Sequence, residues 1–207
     1  MIDLYYWPTP NGHKITIALE EMGFEYQIFP INISQNAQFQ PDFLKISPNN
    51  KIPAIVDQDG PHGQPISVFE SGAILQYLAR KTGLFYPSAE VARIEVEQWL
   101  MWQMASFGPM LGQNHHFSRF APERIAYATE RYVAETQRLY TVLDTQLANR
   151  DYVAGEYSIA DMAILPWILR YEWQQIDLND YPYVLSYMQR LTARPAVQRA
   201  LAIQLDV

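Results

Sequence analysis

Over its first 83 positions the chain alternates short β-rich runs with apolar residues at helical spacing. Ile15, Ala18, Leu19 and Met22 share one helix face, for example, and Gly23 follows them as a stop signal. A strand, a helix and a second strand form a right-handed crossover by default, whereas two strands joined by a short turn form an antiparallel hairpin. The pattern therefore predicts a small mixed sheet covered by helices. The predicted strands are residues 2–7, 26–32, 54–57 and 66–69, and the predicted helices are 13–22 and 70–83, with a short helix or turn at 39–44.

After residues 84–87 (Leu-Phe-Tyr-Pro) the pattern becomes wholly helical. Ser158 and Asp161 have the Ser-x-x-Asp spacing of a capping box, which marks a helix start. We therefore assign residues 1–83 to an α/β domain of order β-α-β-α-β-β-α, residues 84–87 to a linker and residues 88–207 to an all-α domain. The predicted helices of the second domain are residues 91–104, 122–147, 158–168, 181–194 and 196–205.

Composition narrows the classes of partner. The 207 residues are 49% hydrophobic and carry a net charge of -7 without a Lys/Arg cluster, so a nucleic acid or an anionic membrane is not an expected partner. The N-terminus has no basic region followed by an apolar one, and no apolar run approaches membrane-spanning length. We therefore expect a soluble, cytoplasmic protein.

The chain contains no cysteine. Disulfide bonds, thiolate metal sites and a catalytic thiol of the protein are thereby excluded. Any thiol chemistry must use a thiol that a ligand brings.

Glu70, Ser71 and Gly72 lie at the start of a predicted helix, directly after a predicted strand. The free N–H groups and the positive dipole end of a helix N-terminus favour a carboxylate, and Glu70 can accept a hydrogen bond from an ammonium group of the same ligand. The alternative is that Glu70 or Ser71 merely caps the helix.

A second candidate is the segment between the first strand and the first helix. A ligand sulfur placed beside Thr9 and Asn11 would meet a helix N-terminus, which lowers the pKa of a thiol. The Thr9 hydroxyl and the Asn11 amide could each donate a hydrogen bond to the thiolate. The alternative role for either residue is that of the N-cap.

The third candidate is Lys51-Ile52-Pro53, where a proline opens a predicted strand. A cis bond before Pro53 would turn the N–H and C=O groups of Ile52 away from the sheet, so that they could pair with an extended peptide ligand. Only about one X–Pro bond in twenty is cis, so the local sequence by itself favours trans.

The adjacent His115 and His116 do not share a helix face, and no nearby carboxylate completes a ligand set, so we predict no metal site there. We expect them in a loop that faces a partner or is fixed by hydrogen bonds. Trp99, Trp102, Trp167 and Trp173 are expected to build the helical core, although one of them could line an acceptor pocket.

Taken together, the module with an Ile-Pro turn, the sequence Glu-Ser-Gly-Ala-Ile and a helical half with Ser-Ile-Ala-Asp resembles a glutathione transferase over nearly the whole chain. Residues 8–15, 46–57 and 108–117 are similar to the bacterial nu-class members, which are described as glutathione-dependent disulfide-bond oxidoreductases. This resemblance implies a thioredoxin-like first domain and a homodimer.

The resemblance also implies residue roles. Pro53 would be the cis-proline, with the backbone of Ile52 paired to the cysteinyl unit of glutathione. Glu70 and Ser71 would hold the γ-glutamyl end. The remaining implied contacts are Gln38 and Lys51 beside the glycyl end and Arg131 reaching across the dimer interface.

The catalytic Tyr, Ser or Cys of other classes is where this chain departs from the family. Tyr5 and Tyr6 lie on the predicted strand, and Pro10 stands roughly where a catalytic Ser is expected. Thr9 and Asn11 would take over the role of steadying the thiolate. This departure disfavours strong activation of a single thiol for conjugation.

The expected activity is reduction of small disulfides by thiol–disulfide exchange, with reduced glutathione as the thiol, bound as two molecules or as the disulfide form. Two alternatives remain, namely conjugation of glutathione to electrophiles and a non-catalytic glutathione-binding module. The intact Ile52-Pro53 and Glu70-Ser71 pairs argue against the second, because a binding site that has lost its function does not need them.

Overall fold

The computed structural model describes residues 1–205 and divides into two units. The first comprises Met1–Leu84 together with the segment that begins at Arg194, and the second comprises Phe85–Ala193. In chain order the elements are β1 (Ile2–Tyr6), α1 (Pro10–Met22), β2 (Tyr26–Pro30), α2 (Pro41–Ile46), β3 (Ala54–Asp57), β4 (Ile66–Phe69), α3 (Ser71–Thr82), α4 (Glu90–Trp102), α5 (Gly108–His115), α6 (Ala126–Leu147), α7 (Ile159–Ile168), α8 (Pro182–Thr192) and α9 (Pro195–Leu201).

The sheet of the first unit has the strand order β2-β1-β3-β4. β1 and β2 are parallel, as a crossover through α1 requires, whereas β3 is antiparallel to both β1 and β4. The predicted crossover and hairpin are therefore confirmed. Pro30 lies on the edge strand β2, where its missing N–H breaks no ladder bond.

α1 and α3 pack against each other and cover the sheet with apolar side chains. Ile15, Leu19, Ile74 and Leu78 are fully buried, as the helical spacing predicts. Both helices end at a glycine with positive φ. Three residues separate β1 from α1, and one residue separates β4 from α3. The two helix N-termini are therefore set by the strands that precede them.

The last helix belongs to the first unit and not to the second. α9 packs against α1 and buries Ala196, Val197 and Ala200. Two arginines, one just before α9 and one within it, form ion pairs with glutamates near the C-terminal end of α1. The sequence assigned residues 88–207 to one helical domain, whereas the structure places the segment from Arg194 onward with the sheet. Residues 206 and 207 of that assignment lie outside the described residues.

In the second unit α7 is buried over its whole length and is the centre of the helical packing. Ser158 and Asp161 form the predicted capping box at its start. α4 and α5 are joined by the π-helical turn Gln103–Phe107, so the chain stays helical beyond residue 104, where the predicted helix ends. None of the helices within residues 1–205 is both long and apolar enough to cross a membrane.

Candidate functional site

Three chain segments meet at one edge of the sheet, and this edge is formed by strand ends and not by an outer strand. Ala54, the first residue of β3, pairs with Tyr5 of β1 on one side and with Phe69 of β4 on the other. The end of β1, the start of β3 and the end of β4 therefore lie side by side. Consequently Thr9, Ile52-Pro53 and Glu70, which follow or precede these strand ends by a few residues, belong to the same edge.

The start of α1 is fixed by Thr9. Thr9 has extended backbone angles, and its Oγ1 accepts a hydrogen bond from the backbone N–H of Gly12 at 3.2 Å. The N-cap role considered as an alternative is thus confirmed for Thr9. The capping bond uses Oγ1 as acceptor, so the hydroxyl hydrogen remains a donor. Asn11 lies in the first turn of α1 and is partly buried.

Gly12 allows this turn to pass close to β1. A Cβ at Gly12 would lie 2.3 Å from the carbonyl oxygen of Trp7 and 2.9 Å from the Tyr6 ring. A side chain does not fit there without moving the backbone. Glycine at this position therefore keeps Thr9 and Asn11 against the edge of the sheet.

The bond between Ile52 and Pro53 is cis. Pro53 is buried, Ile52 is partly buried, and the neighbouring Lys51 is exposed. The buried Ser47 donates a hydrogen bond from its Oγ to the carbonyl oxygen of Lys51 at 2.8 Å, which fixes the loop before the cis bond.

Glu70 and Ser71 form the junction of β4 and α3. Glu70 has a φ of 69°, which non-glycine residues rarely adopt, and its exposed side chain accepts from Asn49 Nδ2 at 3.4 Å. Ser71 is only 4% exposed and is the first residue of α3. The carboxylate at Glu70 and the N–H groups of the first turn are thus placed side by side.

Lys14 lies beneath this junction and was not identified from the sequence. It is 1% exposed, and its Nζ donates to Ser71 Oγ at 3.3 Å. Burial lowers the pKa of Lys14 to about 7, although the negative charge of Glu70 counteracts part of that shift. One sequence signal was present, because Lys14 precedes Ala18 by four positions and so falls on the apolar face of α1.

Within residues 1–205, no hydrogen bond or ion pair joins Gln38 or Lys51 to Glu70 or Ser71. Gln38 lies in the 3₁₀ turn Ala37–Phe39, and its Oε1 is buried without a hydrogen-bond partner in that part of the chain. A buried acceptor without a partner is costly, so a ligand N–H would be a favourable neighbour for it.

Arg131 lies in the second unit, exposed on α6. It lines a cavity of 640 Å³. The other lining residues are Met110, Tyr127, Glu130, Tyr132, Ala134, Glu135 and Arg138.

His115 and His116 lie at the end of α5 and the start of a π-helical turn, so the expected loop was wrong. The His115 ring is buried and stacks on Trp167 with the ring centroids 5.7 Å apart. Burial, together with the charges of Arg170 and Arg119, lowers the pKa of His115 to about 4, so the ring is neutral at pH 7. Residues 1–205 hold no group of three or more His, Cys, Asp or Glu side chains that could bind a metal ion.

Comparisons with known proteins agree with this geometry. Residues 1–80 match the profile of the glutathione S-transferase N-terminal domain, and residues 104–195 match that of the C-terminal domain. The chain is 55% identical over 205 residues to the disulfide-bond oxidoreductase YfcG of Escherichia coli (strain K12), with 97% of this chain and 94% of that protein covered.

Two crystal structures show the same fold. A glutathione transferase family member from Pseudomonas fluorescens pf-5, with two glutathione molecules bound, has a TM-score of 0.93 and 45% identity, covering 98% of this chain and 93% of that one. A glutathione transferase from Pseudomonas putida, with one glutathione disulfide bound per subunit, has a TM-score of 0.94 and 44% identity, covering 99% and 92%.

Proposed function

The chain belongs to the glutathione S-transferase family, and on that premise we propose that it reduces small disulfides by thiol–disulfide exchange with bound glutathione. The observation that carries the proposal is the 55% identity to a disulfide-bond oxidoreductase over 97% of this chain. The lack of cysteine agrees with it, because both reducing thiols then come from glutathione.

The reaction needs two glutathione thiols for each substrate disulfide. These thiols are oxidised to glutathione disulfide, and the substrate takes up two electrons and two protons and leaves as two thiols. The bound forms in the two Pseudomonas proteins, two glutathione molecules and one glutathione disulfide, are the two sides of this exchange.

We assign the steadying of the thiolate to Thr9, Asn11 and the N-terminus of α1. The Thr9 hydroxyl keeps its hydrogen for the sulfur, because Oγ1 serves as the acceptor of the capping bond. Asn11 supplies an amide donor from the first turn. These neutral donors lower the pKa of the thiol, and no positively charged side chain takes part. This suits a thiol that must also leave again during exchange.

The remaining assignments place the rest of glutathione on the same edge of the sheet. Ile52 pairs its backbone with the cysteinyl unit beside the cis bond to Pro53. Glu70 accepts from the γ-glutamyl ammonium group, and Ser71 and the N-terminus of α3 hold its carboxylate. The glycyl end is assigned to Gln38 and Lys51.

We further propose that the protein is a cytoplasmic, nu-class homodimer in which Arg131 of one subunit reaches the ligand of the other. The exposed position of Arg131 on α6 and its cavity within the second unit support an outward-facing role. Residues 1–83 would serve as the glutathione-binding domain, and the helical domain would begin after residues 84–87.

Two assays with the purified protein test the proposed reaction. One measures NADPH oxidation coupled through glutathione reductase, with glutathione and hydroxyethyl disulfide. The other measures conjugation of glutathione to chlorodinitrobenzene. We expect fast disulfide turnover and weak conjugation.

Dominant conjugation would make the protein an ordinary transferase and overturn the proposal. If neither activity is found although glutathione binds, the protein is a binding module.

A further inference from the structure

Lys14 places a buried amine directly under the proposed γ-glutamyl subsite. Its Nζ lies 3.3 Å from Ser71 Oγ, and both side chains are almost fully buried. A ligand carboxylate bound at Ser71 and the first N–H groups of α3 would thus lie close to the amine of Lys14.

Glu70 is the charged group that affects the pKa of Lys14. Burial lowers the pKa of Lys14 to about 7, and Glu70 is the charged neighbour that raises it. Glu70 is exposed and therefore partly screened by water.

The other ionisable groups on the packed elements have partners of their own. On β1 and α1 the Tyr6 hydroxyl and the His13 Nδ1 lie 3.3 Å apart. Towards the far end of α1, Glu20 and Glu21 pair with the arginines of the C-terminal segment. On α3, Tyr77 and Lys81 bind Asp57, and Arg80 is exposed. The ionisable groups considered on all of these elements are Tyr6, His13, Glu20, Glu21, Arg194, Arg199, Tyr77, Arg80, Lys81 and Asp57.

We propose that binding of the γ-glutamyl carboxylate at Ser71 and the N-terminus of α3 is coupled to uptake of a proton by Lys14. The inference rests on the proposed function, which places that carboxylate there. The ligand ammonium group pairs with Glu70 at the surface, so the carboxylate is the nearer new charge for the buried amine. A negative charge that arrives beside a buried amine favours its charged form. Lys14 thus makes the affinity for glutathione depend on pH.

Calorimetric titration of the full-length protein with S-methylglutathione tests this coupling. The methylated ligand has no free thiol, so a thiol proton cannot contribute to the measured count. At pH 7.5, titrations in phosphate and in Tris should together show uptake of about 0.5–0.8 proton per site, because most Lys14 amines are neutral there before binding. At pH 6.0 the uptake should fall to about 0.1 proton, because the amine is already charged. The dissociation constant should rise about five- to tenfold between pH 6.5 and 8.0.

Lys14→Met and Lys14→Arg are the decisive variants. Met has a similar length without a charge, so uptake at pH 7.5 should vanish and binding should weaken about ten- to hundredfold. Arg stays charged at these pH values, so binding should show neither uptake nor pH dependence. Lys45→Met, which changes an exposed lysine of α2, is the control and should behave as the wild type.

Binding without proton uptake by the wild type at pH 7.5, or unchanged uptake in Lys14→Met, overturns the inference and leaves the proposed function standing. Absence of any binding of S-methylglutathione at both pH values overturns both together. The wild-type proton count decides the matter even if a variant does not fold.

Discussion

The Nζ of Lys81 lies 2.6 Å from Oδ2 of Asp57, which joins the last turn of α3 to the end of β3. Asp57 is fully buried, and the same oxygen accepts from the Tyr77 hydroxyl at 2.6 Å. Its other oxygen accepts from the backbone N–H of Asp59 at 2.9 Å. This carboxylate therefore anchors the far end of the helix whose N-terminus forms part of the candidate site.

Replacing Asp57 tests that anchor. Asp57→Asn removes the charge while keeping the shape, and we expect a loss of about 2–3 kcal/mol in the free energy of unfolding, because hydrogen bonds to a charged group are lost. Asp59→Asn is the control, since its side chain is 81% exposed and 3.8 Å from Lys81 Nζ, and it should cost less than about 1 kcal/mol. Urea unfolding at pH 7 measures both.

The Asp57 anchor should also depend on pH. Burial alone would raise the pKa of Asp57, but the hydrogen bonds from Lys81, Tyr77 and Asp59 outweigh it and hold that pKa below its ordinary value. A folded-state pKa below the unfolded value of about 3.9 stabilises the fold above that value, and the stabilisation is lost as the pH falls through the folded-state pKa. The difference between wild type and Asp57→Asn should therefore shrink between about pH 5 and pH 3. A constant difference over this range contradicts the assignment.

Asp161 has a similar role in the second unit, at the start of the buried helix α7. Its two oxygens accept from the backbone N–H groups of Val153 and Ser158, from the Ser158 hydroxyl and from the Tyr187 hydroxyl, at 2.8–3.1 Å. Asp161→Asn would turn an amide NH₂ toward these donors, so we expect a loss of more than about 3 kcal/mol.

Two milder variants provide the losses in unfolding free energy with which the Asp161→Asn loss is compared. Ser158→Ala removes the capping hydroxyl and should cost about 1 kcal/mol. Tyr187→Phe removes a single donor and should cost about 1 kcal/mol as well. Urea unfolding followed by tryptophan fluorescence ranks the three variants, and an Asp161→Asn loss no larger than that of Tyr187→Phe would show that the four-donor arrangement is not what stabilises α7.

The helices and strands with regular apolar spacing could be predicted from the sequence, because that spacing marks a buried face. α7, which is buried over its whole length, was predicted from its capping box and its apolar run. α5 was missed because Gly108, Pro109 and Gly112 are poor helix formers. In the fold Gly112 serves packing, since a Cβ there would lie 3.3 Å from the Trp167 ring. This contact joins residues 55 positions apart, and local pattern does not report it.

The candidate site could be predicted where it depends on short motifs at strand ends, and not where it depends on packing between helices. The places of Ile52-Pro53 and Glu70 follow from the predicted strand ends, whereas the cis bond at Pro53 follows only from the family resemblance. The role of Lys14 could not be predicted, because a lysine on a helix is expected in water and its burial results from α3 lying across α1. The docking of α9 on α1 was missed for the same reason.

Asn11 is the residue with which we test the proposed stabilisation of the thiolate. Asn11→Ala should lower kcat for disulfide reduction about 10- to 100-fold and change KM for glutathione less than about threefold, because the lost donor acts on the charge that develops at sulfur. Thr9→Ser is the control, since it keeps both the hydroxyl and the cap of α1 and should retain activity. Equal kcat in Asn11→Ala and wild type would remove Asn11 from the mechanism.

Arg131 tests whether the site is completed by a second subunit. Arg131→Ala should raise KM for glutathione about 10- to 100-fold, because a hydrogen bond to a charged group is lost. Arg138→Ala is the matched control. Arg138 lines the same cavity but is paired with Glu135 through contacts of 2.7 and 2.8 Å, so its loss should leave KM unchanged.

Mixed dimers decide between a contact within one subunit and a contact across the interface. If Arg131 serves the partner, a dimer of Asn11→Ala and Arg131→Ala subunits has one site with both changes and one site with neither. Unfolding and refolding the two variants together should therefore restore about one quarter of the wild-type activity, since half of the dimers are mixed and half of their sites are intact. If Arg131 acts within its own subunit, every site carries one of the two changes and refolding restores nothing.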